Sequence, residues 1–77
     1  MKIADFLKEL KETLEIEEVE LNEETNLKEL EEYDSLSVLS IIAMIDENFG
    51  KRISGQDFQS ITTVGSLMEL IGMENFE

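Results

Sequence analysis

Tyr33-Asp34-Ser35-Leu36 marks the point where a glutamate-rich stretch gives way to an apolar helical pattern. Ser35 therefore stands at the expected start of a helix. There its hydroxyl can cap free backbone N–H groups, and a phosphate carried on it would face the positive end of the helix dipole. A serine oxygen needs a base beside it to act as a nucleophile, and the neighbours here are Asp34 and glutamates. Carboxylates are weak bases near neutral pH. The chain has no histidine and no cysteine, so neither a Ser-His-Asp triad nor a Cys-His pair can form within it. Chemistry at Ser35 must then be performed on it by another protein. For an isolated serine in such a place, simple helix capping is the commoner role.

The elements that position Ser35 follow from size and pattern. Seventy-seven residues allow one small domain, residues 1–77, with a shallow core. Absence of cysteine removes disulfides, and without histidine as well no ordinary zinc site is expected. Nineteen acidic residues against six basic ones leave a net charge of −13. Nucleic acid is a poor partner for such a chain, whereas basic protein surfaces would be drawn to it. Charges at Lys2, Asp5, Lys8 and Glu9 interrupt any signal-peptide core. The run Ile41-Ile42-Ala43-Met44-Ile45 is far too short to span a membrane. The expectation is a cytoplasmic monomer.

Ile3, Phe6, Leu7, Leu10 and Leu14 recur at helical spacing and predict a helix over about 2–14. Residues 15–34 lose that period. Ile16, Val19, Leu21, Leu27 and Leu30 read as apolar pins of a long connection, with a short turn at 26–31. The acidic stretch from Glu15 to Glu24 reads as solvated surface, since an EF-hand's Asp/Asn spacing and central glycine are missing. A helix over 36–49 should stop at Gly50. Leu36, Leu39, Ile42, Ile45 and Phe49 form one apolar face, widened by Val38 and Ile41. Ser37, Ser40, Met44, Glu47 and Asn48 make the other, nearly uncharged face. Ser54 to Asp57 has the spacing of a capping box for a short helix at 55–60, and Thr63 can cap a last helix over 64–71. Gly72 ends it, leaving 73–77 as a flexible tail. The fold class is all-α.

Asp34-Ser35-Leu36, the apolar helix closing at Phe49, Ile53, and Ile61-Thr62-Thr63-Val64 together resemble the acyl carrier protein family. Peptidyl and D-alanyl carrier domains share the same attachment pattern. The resemblance spans nearly the whole chain, most clearly residues 27–72. It implies a four-helix bundle with three main helices, a short third one and a long first loop. It also implies a non-catalytic carrier, with 4′-phosphopantetheine attached to Ser35 by a separate phosphopantetheinyl transferase. The arm's thiol would hold acyl or aminoacyl groups as thioesters. Asp34 and Leu36 are the motif neighbours; Asp34 would orient the loop or meet the transferase, its plainer role being a capping or turn carboxylate. Leu36, Ser37, Ser40, Met44 and Glu47 are the expected contacts for acyl-loading and acyl-using enzymes with basic or apolar docking patches. Met44 and Met68 are candidates for lining an acyl cleft, with plain packing the commoner role for such residues.

Two departures from the family pattern bear on the clients. Tyr33 stands where fatty-acid carriers have a small residue nearby. Ser37 and Ser40 stand where carboxylates usually follow the serine, leaving only Asp46 and Glu47 farther along. Both point away from general fatty-acid biosynthesis and towards a dedicated acyl, aminoacyl or polysaccharide-related pathway. The competing reading is an acidic helical interaction adaptor without a prosthetic group.

Overall fold

Phe6, Leu10 and Leu14 are spaced four apart and lie buried along one side of α1 (Ile3–Leu14). α1 ends at Glu15, whose backbone takes the left-handed conformation (φ 58°) that closes the last turn. The computed structural model describes residues 1–16 and 20–77. Val19, expected among the apolar pins, lies outside the described residues. Ile16, Leu21 and Leu27 are all buried. The turn in this connection is a 3-10 turn at Leu27–Glu29, capped by Asn26, whose Oδ1 accepts from the Lys28 N–H (2.9 Å).

Three further helices follow: α2 (Ser35–Phe49), α3 (Gly55–Ser60) and α4 (Val64–Ile71). α2 packs mainly on α1 and also meets α3. Gly50 stops α2 at φ 65°. Ser54 and Thr63 cap α3 and α4, each in a reciprocal box with Asp57 and Ser66 respectively. The buried apolar residues of all four helices and of the connection form one contiguous core. Among the described residues there is no strand and no helix long and apolar enough to cross a membrane.

The acidic connection is lashed to the start of α4 by main-chain atoms. Val64 and Gly65 N–H groups donate to the Thr25 and Glu23 carbonyls (3.0 and 2.8 Å), and Leu27 N–H donates to the Thr62 carbonyl (2.8 Å). These bonds occupy donors that a helix start otherwise leaves open. Gly65 permits the approach, since a Cβ there would stand 3.0 Å from the Glu23 carbonyl oxygen.

Two expectations are corrected. The buried residues of α2 are Ser37, Ile41, Met44 and Ile45, whereas Leu36 and Leu39 are 74% and 63% exposed. Apolar side chains nearly encircle the first turns of α2, so periodicity leaves its phase open, and packing on α1 decides it. Met44 and Met68 are both core residues. Residues 73–77, expected to be a loose tail, carry a 3-10 turn at Met73–Asn75 and fold back on the core. The Phe76 ring sits 5.0 Å from that of Phe6 and 5.3 Å from that of Phe49. Backbone bonds join the same segment to the other end of the chain: the Met1 ammonium donates to the Asn75 carbonyl (2.8 Å), and Glu77 N–H to the Met1 carbonyl (3.0 Å).

Candidate functional site

The first turn of α2 is held by Asp34, and the expectation that Ser35 caps the helix is corrected. Asp34 has the extended backbone of a cap, and its carboxylate accepts from the Ser37 N–H at 2.8 Å. Ser37 answers by accepting from the Asp34 N–H at 2.7 Å and donating to the Asp34 carbonyl at 2.8 Å. Aspartate is among the preferred residues at this position, and one carboxylate oxygen takes the Ser37 donor while the Ser37 hydroxyl closes the box. Ser35 is thereby released to be the first helical residue, exposed on the surface.

The consequence shows when all six serines of the chain are compared. Ser37 is buried and locked in the Asp34 box. Ser40 donates back to the Leu36 carbonyl (3.2 Å) and Ser60 to the Asp57 carbonyl (2.9 Å). Ser54 bonds the Asp57 carboxylate, and Ser66 donates to the Thr63 carbonyl (2.7 Å) while accepting from two backbone N–H groups. Ser35 alone has no hydrogen-bond partner for its hydroxyl among the described residues. It is the one serine oxygen both exposed and unengaged.

Around it, α2 offers an anion-compatible start. Ser37 and Val38 N–H groups are taken by Asp34, while those of Ser35 and Leu36 have no acceptor among the described residues. Two open donors at the positive end of a 15-residue helix suit a phosphate oxygen. Asp34 opposes this, because its negative charge stands beside the same hydroxyl. The open donors belong to Ser35 itself and its neighbour Leu36, so a phosphate ester on Ser35 fits the site.

Ser35 also lines a groove of about 500 Å³ between the Leu27–Glu29 turn, the start of α2, and α3. Its other lining residues are Lys28, Tyr33, Val38, Leu39, Gly55, Phe58 and Gln59. Phe58 is buried, Val38 is half-buried, and Leu39 projects, giving the groove an apolar floor and lip. Partial burial pushes the Tyr33 phenol above its ordinary value, so it remains a protonated donor over the neutral range. Lys28 donates from Nζ to the Gln59 carbonyl at 3.0 Å across the groove.

Of the expected contact residues, Leu36, Ser40 and Glu47 are exposed on α2. Ser37 and Met44 face inward and cannot meet a partner, which corrects that part of the expectation. Leu39, which shares an apolar face with Ile42 and Ile45 in the sequence pattern, extends the exposed apolar surface next to Leu36. The Asp34-x-x-Ser37 spacing was the signal that could have assigned the cap to Asp34. Lys28, Phe58 and Gln59 carry no signal, since two segments far apart in the chain bring them to the groove. Met68, in the core, does not line it.

A family model described as "Phosphopantetheine attachment site" matches residues 4–71. No curated protein and no solved structure matches the chain.

Proposed function

The chain belongs to the phosphopantetheine-attachment family, whose members carry 4′-phosphopantetheine covalently on a serine, and on that premise we propose that Ser35 is the residue that carries it here. The observation that supports this reading is the state of the serine hydroxyls: Ser35 is unengaged where the other five are bonded or buried. The prosthetic arm supplies a terminal thiol that holds an acyl or aminoacyl group as a thioester.

This chain's own residues present the arm. Asp34 and Ser37 fix the first turn of α2, so the Ser35 oxygen projects from a rigid point rather than from a mobile loop. The open N–H groups of Ser35 and Leu36 receive a phosphate oxygen. The side-chain bases next to Ser35 in the sequence are carboxylates, which are weak bases near neutral pH. The base and the transfer belong to a separate transferase, and the protein is a non-catalytic carrier. Leu36 and Leu39 give partner enzymes an apolar contact beside the attachment point, and Glu47 gives a charged one farther along α2. The absence of cysteine leaves the arm's thiol without an internal competitor for the cargo.

The same reading places the carrier in the cytoplasm, as a monomer serving a dedicated acyl, aminoacyl or polysaccharide-related pathway rather than bulk fatty-acid synthesis. Tyr33 at the groove and Ser40 on the exposed face support this preference, because neither reproduces the small and acidic residues a general fatty-acid carrier presents. Incubation with coenzyme A, magnesium and a broad-specificity phosphopantetheinyl transferase should add the mass of one arm. Ser35→Ala should abolish the gain, and Ser40→Ala, Ser54→Ala and Ser60→Ala should each retain it. An unmodified wild-type chain after several transferases would favour the adaptor reading instead. Efficient elongation on this carrier by fatty-acid synthesis enzymes would overturn the preference for a dedicated pathway.

A further inference from the structure

The surroundings of Ser35 pose an electrostatic problem. Asp34, Glu31 and Glu32 are all exposed in the residues leading up to it, and the chain as a whole carries −13. A phosphodiester attached there adds one more negative charge. Most of the six cations are badly placed to offset it. Lys51 and Arg52 follow the far end of α2, about 22 Å away at the usual helical rise for 15 residues. Lys8 and Lys11 line a separate hollow along α1, and Lys2 precedes that helix. Over such spans solvent ions screen most of the attraction.

Lys28 is the exception. It is the one cation that lines the groove containing Ser35. Its backbone is held in place: Asn26 caps its N–H, Leu27 beside it is fully buried, and Glu29 N–H closes the turn on the Asn26 carbonyl (3.2 Å). Its ammonium rests on a neutral carbonyl, that of Gln59, and among the described residues it has no carboxylate partner, despite the abundance of carboxylates in the chain. An ammonium has three donors, so two remain for an incoming anion. Building on the Ser35 reading, we infer that Lys28 is a positioning residue for the phosphodiester on Ser35, drawing the charged root of the arm into the groove between α2 and α3. Tyr33, which also lines the groove, adds a neutral donor.

Phosphorus NMR of the arm-bearing protein tests this without recourse to any partner enzyme. The wild-type resonance should differ in position and width from that of the same protein unfolded in urea. Lys28→Gln should move it at least halfway to the unfolded value and sharpen it, while Lys28→Arg should keep it near wild type. A resonance that is the same in wild type and Lys28→Gln, or an Arg variant that behaves like Gln, overturns the inference. Backbone amide spectra of the arm-free variants separate a structural role: loss of the Gln59 contact alone would shift α3 resonances without touching the phosphorus signal. Mass spectrometry keeps the two readings apart. A variant that gains the arm yet leaves phosphorus unmoved sinks only the role of Lys28, whereas a wild-type chain that never gains the arm sinks the attachment reading and this one with it.

Discussion

Asp34 and Ser37 each close the other's backbone: the Asp34 carboxylate accepts the Ser37 N–H at 2.8 Å, and the Ser37 hydroxyl accepts the Asp34 N–H at 2.7 Å. This pair sets the direction in which Ser35, lying between them, leaves the helix. Removing the carboxylate with Asp34→Ala should cost about 1 kcal/mol of stability, the usual worth of a side-chain cap. Asp34→Asn should stay within about 0.5 kcal/mol of wild type, because an amide oxygen caps as well. Urea denaturation followed by helical circular dichroism distinguishes the two; equal losses would mean that the charge, not the cap, holds the turn.

Leu36 touches little within the protein, and its truncation should be nearly silent in the fold. Leu36→Ala is expected to change stability by less than about 0.5 kcal/mol, as for an exposed site. If Leu36 is a docking contact, the same variant should raise the transferase's apparent KM about fivefold or more, the loss of about 1 kcal/mol of interface contact. An unchanged KM would remove Leu36 from the docking surface.

Tyr33 is the only tyrosine, so its ionisation can be read cleanly by ultraviolet absorbance. Burial raises the phenol in the folded chain above its unfolded value of 10.0. Between those two values the folded state holds a proton that the unfolded state has lost. Stability should therefore be unaffected below the unfolded value, fall as pH rises past it, and level off above the folded value. Coincident titrations of folded and urea-unfolded protein would contradict the burial of this ring.

Phe76 ties the last residues to the core through the rings of Phe6 and Phe49. Phe76 is half-buried, so Phe76→Ala should cost about 2 kcal/mol, less than a fully buried phenylalanine. For a domain of this size that corresponds to a fall of roughly 10 °C in Tm. A melting curve that ignores the substitution would restore the loose tail.

Much of this was legible in the letters. Ser54, Thr63 and Gly50 announce their caps and stops through local chemistry, so the spans 55–60 and 64–71 read from sequence match α3 and α4. α2 was harder. Leu36, Val38, Leu39, Ile41 and Ile42 crowd most of its circumference, and the choice of buried face belongs to the helices it meets. Phe76 has no periodic neighbours, so only three-dimensional proximity reveals its partners. The groove beside Ser35 was invisible for the same reason: Lys28, Tyr33 and Phe58 share no pattern along the chain.

The link between the connection and α4 runs through the carbonyls of Glu23 and Thr25 and the amide of Leu27. Because peptide groups make those joins, the side chains at 23 and 24 are released from architectural duty. The molecule's electrical coat there can be rewritten residue by residue, over an unchanged frame.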